Sequence, residues 1–89
     1  MNEHRKKAAA LSYDQTEGAP PRVSALGKGL VAETIIESAQ EHHIPVLEDP
    51  SLVELLANLN VNETIPEELY EAVAEVFAFV YRLDQKIDK

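Results

Sequence analysis

Residues able to act as acids, bases, nucleophiles or ligands are few in this chain, and they are scattered. His42 and His43 are adjacent. On a helix such neighbours point about 100° apart, so they do not offer two ring nitrogens to one metal as an i, i+4 pair does. They fall where a helix is expected to end, a position that favours partial positive charge, and read as surface caps. Ser12, Ser24, Ser38 and Ser51 all lie outside any G-x-S-x-G elbow. Gly27-Lys28-Gly29 lacks the third glycine of a dinucleotide fingerprint and reads as a tight strand-to-helix turn. Glu48-Asp49 sets two carboxylates at the end of an expected strand, with no further ligand group beside them. No acid, base and nucleophile converge, so the expectation is a non-enzymatic chain with no catalytic residue, no metal and no cofactor.

Charge says more through its distribution than through its sum of -8. No Lys or Arg occurs between Val31 and Tyr81, a span that holds eleven carboxylates, from Glu33 to Glu75. Such a surface repels phosphate backbones, which argues against nucleic-acid binding. Two readings of it stand: a solvated acidic face, or a docking face for a basic partner. The basic residues gather at the two ends, with Arg5-Lys6-Lys7 directly ahead of the first apolar run. That cluster reads either as a solubilising tail or as a salt-sensitive arm for an acidic surface or anionic lipid.

At 89 residues the chain makes at most one domain; a domain of this size buries roughly 60% of its unfolded surface, enough to fold alone with little margin. Cysteine is absent, so no disulfide or thiolate site supports it. Neither a signal peptide nor a membrane span is expected, and without a secretion signal the acceptor-like triplet Asn62-Glu63-Thr64 carries no weight.

The elements follow from periodicity. Residues 1–7 read as a flexible basic segment, and 8–89 as one domain. Ala8 to Tyr13 reads as a short strand, the cluster from Gln15 to Pro21 as a turn, and Arg22 to Leu26 as a strand with Val23 and Ala25 on one face, together a hairpin. Helical spacing then puts Val31, Ile35 and Ala39 on one stripe with Ala32 and Ile36 beside it. Pro45 ends that helix, and Pro45 to Glu48 is expected as a third strand in a right-handed βαβ unit. Asp49-Pro50 opens a second helix with Leu52, Leu55, Leu56 and Leu59 as its stripe, and a short extended segment around Val61 follows. Pro66, Glu67 and Glu68 open the last helix, whose stripe steps through Leu69, Val73, Val76 and Val80. Its stretch from Val76 to Tyr81 is apolar all round, to be covered on more than one side or offered to a partner. The expected fold class is therefore α/β: a small mixed β-sheet, built of the N-terminal hairpin plus a βαβ strand and possibly a fourth short strand, surrounded by about three helices.

Four stretches resemble the cytoplasmic C-terminal domain of the FlhB/YscU family of type III export switch proteins. They are AAALSYD before a proline-rich turn, RVSALGKGLVAETIIESAQEHHIPVLEDP, SLVELLANLNVNETIP and EELYEAVAEVFAFVYRL, the last being the most specific. The resemblance runs from Ala8 to Leu83. It implies a small mixed sheet surrounded by helices, joined in full-length members to a membrane half. It also implies an Asn-Pro-Thr-His motif just ahead of the first strand, where the Asn side chain attacks its own carbonyl and the chain breaks, an event linked to a change in exported substrates. Here that motif would occupy Glu3-His4-Arg5-Lys6, and none of the four positions matches. No other residue before a proline is an Asn, so no self-cleavage is expected.

The resemblance thus implies a stand-alone, soluble, cytoplasmic relative of the switch domain that lacks the cleavage motif. Its expected role is that of a non-enzymatic component or accessory of the flagellar or type III protein export apparatus, contacting export components or substrates and associating peripherally with the membrane-bound machinery. The alternative is a cytosolic regulator that mimics the switch domain and competes for its partners. Neither reading involves a nucleic acid or a small-molecule substrate. Exposure and charge nominate two contact groups: Pro20, Pro21 and Arg22 at the hairpin loop, and Glu67, Glu68 and Glu71 at the entrance of the last helix.

Overall fold

The computed structural model describes residues 6–13 and 18–87, with side chains as far as Arg82. Two strands, β1 (Lys7–Ser12) and β2 (Arg22–Lys28), pair antiparallel. Helices α1 (Leu30–Glu41), α2 (Pro50–Leu56) and α3 (Tyr70–Ile87) follow, α3 being entered through a 3-10 turn at Glu67–Leu69. The hairpin and the three helices lie where periodicity puts them. Of the turn expected from Gln15 to Pro21, Gln15, Thr16 and Glu17 lie outside the described residues, as does Asp14.

The alanines of β1 are poor strand formers, and the strand is held by its surroundings. The register runs from Lys7 opposite Lys28 to Ser12 opposite Arg22, with an irregularity between Ala10 and Leu11 that brings Leu11 opposite Val23. A lysine facing a lysine is unfavourable in a ladder. Lys7 Nζ instead reaches across to Glu54 of α2, 2.6 Å from its Oε2, an ion pair that draws α2 to the β1 side of the sheet.

β2 runs two residues further than expected, through Gly27 and Lys28. A Cβ on Gly27 would collide with the Val31 side chain and lie 3.1 Å from the amide of Ala32. The missing side chain is what lets the first turn of α1 settle on the strand, and Ala32 is wholly buried there. The turn itself is made by Gly29, with φ 58° and ψ -124°, a conformation open to glycine.

At its far end α1 closes in a Schellman arrangement. The Ile44 amide donates to Ala39 O and the His43 amide to Gln40 O, with His43 at φ 59° in the position usually given to glycine. The His42 ring lies with Nδ1 2.8 Å from Ser38 O, so the histidine pair serves the helix end.

Pro45 to Glu48 joins no ladder, and the sheet is two-stranded and antiparallel instead of containing a βαβ strand. The physical reason is local: Pro45 has no amide to donate, and only four residues separate it from Pro50, which opens α2 with Asp49 as its cap. Asp49 Oδ1 accepts from the Leu52 amide at 3.1 Å. Val61, expected in a short extended segment, lies in a turn instead, and the extended contact falls at Thr64, an isolated bridge with Arg22 along the outer edge of β2.

The core is built where these elements converge. Val23, Leu52, Leu56, Ile65 and Val73 are buried in one cluster, with Leu11, Leu26, Leu59, Leu69, Val76 and Phe77 half-buried around it. Leu55, expected on the α2 stripe, is exposed, as is Val31 on α1. The Tyr13 and Phe77 rings, 5.3 Å apart and tilted by 40°, tie the end of β1 to the middle of α3.

Candidate functional site

Val23 organises the region that holds the two nominated groups. Its side chain is fully buried, and its backbone bonds outward on the edge away from β1: its amide donates to Glu63 O at 2.9 Å, and its carbonyl accepts from the Asn62 amide at 2.7 Å. Asn62 makes the required turn at φ 75°, a conformation that asparagine tolerates better than most residues. Asn60 N donates to the Glu63 carboxylate at 2.8 Å and closes the loop. The next contact along this edge is the Ile65 amide donating to Pro21 O at 2.9 Å.

This zipper brings together residues more than forty positions apart in the chain. Pro20, Pro21 and Arg22 enter β2 beside Thr64 and Ile65, and Pro66, Glu67 and Glu68 follow at once. Pro20, Arg22, Glu67, Glu68 and Glu71 are exposed, and Pro21 is half-buried. Ile65, nearly fully buried between them, anchors the turn into α3. The result is one surface: a proline-fixed edge with a single guanidinium, leading to three carboxylates at the amino end of a helix. Among its described residues no nucleophile is paired with a base.

The positions aligned with the absent cleavage motif divide. Glu3, His4 and Arg5 lie outside the described residues. Lys6 is exposed, and its carbonyl accepts from the Gly29 amide at 2.8 Å, so the chain just ahead of β1 is stitched to the β2–α1 turn. Glu48 is exposed, and Asp49 is committed to its cap. Among the described residues, no group of three or more His, Cys, Asp or Glu side chains could hold a metal ion.

Two surfaces escape a reading from periodicity. Val46 and Leu47, in the segment from Pro45 to Glu48 expected as a strand, are exposed apolar residues, and so is Ile44 just ahead of it. The flanking prolines were the available signal. On α3, the outward face runs through Glu71, Ala74, Glu75, Ala78, Tyr81 and Arg82, all exposed, while Val73, Val76, Phe77 and Val80 turn inward. The apolar stretch from Val76 to Tyr81 is thus covered on one side, and Tyr81 remains 62% exposed. No helix among the described residues is long and apolar enough to cross a membrane.

Comparison with known proteins agrees with this architecture over most of the chain. The profile of the FlhB HrpN YscU SpaS Family matches residues 5–80. The chain is 50% identical over 82 residues to the uncharacterized protein YlqH of Bacillus subtilis (strain 168), covering 92% of this chain and 88% of that protein. It is 43% identical over 77 residues to the flagellar biosynthetic protein FlhB of Salmonella typhimurium, covering 85% of this chain and only 20% of FlhB. The chain therefore spans about a fifth of the FlhB relatives that it matches. The crystal structure of an H265A variant of the EscU C-terminal domain superposes with a TM-score of 0.81 at 32% identity, covering 85% of this chain and 93% of that one. The native SpaS C-terminal domain superposes with a TM-score of 0.87 at 13% identity, which speaks to fold alone. With its sequence and its fold both matched along nearly its whole length, the chain belongs to the FlhB HrpN YscU SpaS family.

Proposed function

We propose that this protein is a non-enzymatic binding module of the flagellar or type III protein export apparatus, working at its cytoplasmic face on export components or arriving substrates. The observation that carries the reading is the match to the EscU C-terminal domain, which takes in 93% of that domain, so the chain has a whole switch-type domain to present. The surface we assign to contact joins Pro20, Pro21 and Arg22 to Glu67, Glu68 and Glu71. Its two halves are held together by backbone bonds, so a partner meets a preformed surface and pays little ordering entropy. The carboxylates sit where the helix dipole favours them and face a partner of opposite charge.

The test replaces the C-terminal domain of a flagellar FlhB with residues 8–89, joined to the membrane half, and scores export of rod, hook and filament subunits. Restored early export is expected. Failure to proceed to filament subunits is expected as well, because the Asn-Pro-Thr-His motif has no counterpart in Glu3-His4-Arg5-Lys6. A folded, membrane-inserted chimera that exports nothing would overturn the reading.

A second reading, a cytosolic regulator that occupies the switch domain's partners, is favoured by the match to YlqH, a protein of nearly the same length. Co-sedimentation separates the two: a docked component travels with the membrane-bound apparatus, and a competing regulator stays in the supernatant.

A further inference from the structure

We infer that the end of the hairpin carrying Lys6, Lys28, Leu30 and Val31 is a docking patch for an anionic lipid surface. The chain has a net charge of -8, yet of its five described Lys and Arg side chains, Lys6, Lys7, Arg22, Lys28 and Arg82, three meet at this one end. Lys28 belongs to β2, and the strand register sets it directly opposite Lys7 of β1. Like charges opposed in a ladder are unfavourable. The Lys7 ammonium is answered by Glu54, whereas Lys6 and Lys28 are exposed and make no ion pair among the described residues. The arrangement costs stability and leaves two cations available, the pattern of a site kept for contact.

Two aliphatic side chains stand beside these cations. Leu30 is 79% exposed, more than any other large hydrophobic side chain among the described residues, and Val31 is 55% exposed. Gly29, between Lys28 and Leu30, donates its amide to Lys6 O at 2.8 Å, so both lysines and both aliphatic side chains are held around one turn. Lysines that can snorkel around short aliphatic tips match the boundary between phosphate headgroups and acyl chains. An acidic protein face answers the ammonium groups but offers nothing to Leu30 and Val31; an anionic bilayer answers both.

The nearby carboxylates do not cancel the patch. Glu54 is committed to Lys7 at 2.6 Å, and Glu33 lies in the first turn of α1, with Glu37 and Glu41 following at four-residue steps. α1 leads away from the patch over the sheet on which it packs. Glu37 and Glu41 are therefore about 10 and 16 Å along the axis from Leu30, beyond a Debye length of about 8 Å at physiological salt. The surface of Arg22, Thr64 and Glu67 is at the other end of the hairpin, where Ser12 opposes Arg22, about 17 Å along the strand from the Lys7–Lys28 pair. A domain seated on lipid through Lys28 and Leu30 thus turns Pro20, Pro21, Arg22 and Glu67 away from the membrane, open to a protein partner.

Flotation of the full chain with vesicles of equal parts phosphatidylcholine and phosphatidylglycerol, and with phosphatidylcholine alone, tests the inference at low and at physiological salt. Binding is expected on the anionic vesicles only, at about millimolar lipid, and is expected to weaken as salt rises. Lys6→Gln with Lys28→Gln should weaken it about tenfold or more, and Leu30→Ser about threefold or more. Arg82→Gln, which removes a cation elsewhere on the surface, should bind as the wild type does. All four side chains are exposed, and thermal unfolding confirms that each variant is folded before it is scored. No binding to the anionic vesicles at millimolar lipid would overturn the inference and leave the lysines to an acidic protein. Equal binding to both kinds of vesicle would also overturn it, as would binding that survives the lysine pair or falls equally with Arg82→Gln. So would a Leu30→Ser variant that binds as the wild type does, since the contact would then be ionic alone.

Discussion

The amide of Ile65 donates to the carbonyl of Pro21 across 2.9 Å, and the Ile65 side chain beside that bond is 2% exposed. One residue therefore fixes both the edge of β2 and the entry to α3. The candidate contact surface exists because this bond and the Arg22–Thr64 bridge close it.

Ile65→Ala should accordingly be the costliest small change on this surface. Truncating a fully buried isoleucine costs about 2–5 kcal/mol, a large share of the stability of so small a domain. Urea unfolding would read the loss as a lower midpoint at unchanged slope. A loss under about 0.5 kcal/mol would mean that the turn into α3 is held elsewhere.

Gly27→Ala tests the close approach of α1 to β2. The added methyl meets the Val31 side chain and the backbone of Ala32, and the backbone has little room to move. Overpacking of this kind costs about 1–3 kcal/mol, and the expected readout is a lower melting temperature with the helical signal kept below it. Unchanged melting would show that the first turn of α1 yields freely.

His43→Gly should stabilise the protein. His43 closes α1 at φ 59°, where a side chain is strained and glycine is not, so a gain of about 1 kcal/mol is expected in spite of glycine's greater freedom when unfolded. His43→Val at the same position should destabilise, since a β-branched residue is the least tolerant of positive φ. Equal stability for the two variants would contradict the strained cap.

Glu67→Lys, Glu68→Lys and Glu71→Lys together, introduced into the FlhB chimera, should reduce export while the chimera accumulates to its usual level. All three side chains are exposed, so their reversal leaves the core packing intact. Export at the unmodified rate would remove the carboxylates from the contact surface and leave Pro20, Pro21 and Arg22 to be tested alone.

The chain should also stay whole. Cyclisation needs an Asn side-chain amide ahead of a proline, and the five X-Pro bonds follow Ala19, Pro20, Ile44, Asp49 and Ile65. Intact mass after long incubation at neutral pH is expected to give one species. Two fragments with a break between residues 2 and 7 would reveal a cleavage chemistry other than asparagine's.

Much of the fold was legible because it depends on local order. The proline at position 45, the Asp49-Pro50 pair and the four-and-three stepping of the last helix each act within a few residues, and the elements they mark lie where they indicate. The family resemblance was legible for the same reason, since it rests on whole stretches of sequence. Periodicity misjudged Val31 and Leu55, which are exposed, and the order of elements misjudged Val46 and Leu47, which were read as a strand. An extended segment becomes a strand only if a neighbouring edge is present to pair with it, and here the segment joins no ladder.

By itself, then, the sequence determined the helices, the hairpin, the absence of a cleavage motif and the family, all through contacts or matches along the chain. Tertiary structure alone decided that Pro21 meets Ile65, that Glu54 answers Lys7, and that one face of α3 stays outside. Each of these depends on how separate elements turn toward one another, and that orientation is set by which side chains fill the core around Val23, a property of the assembled chain that no local spacing encodes.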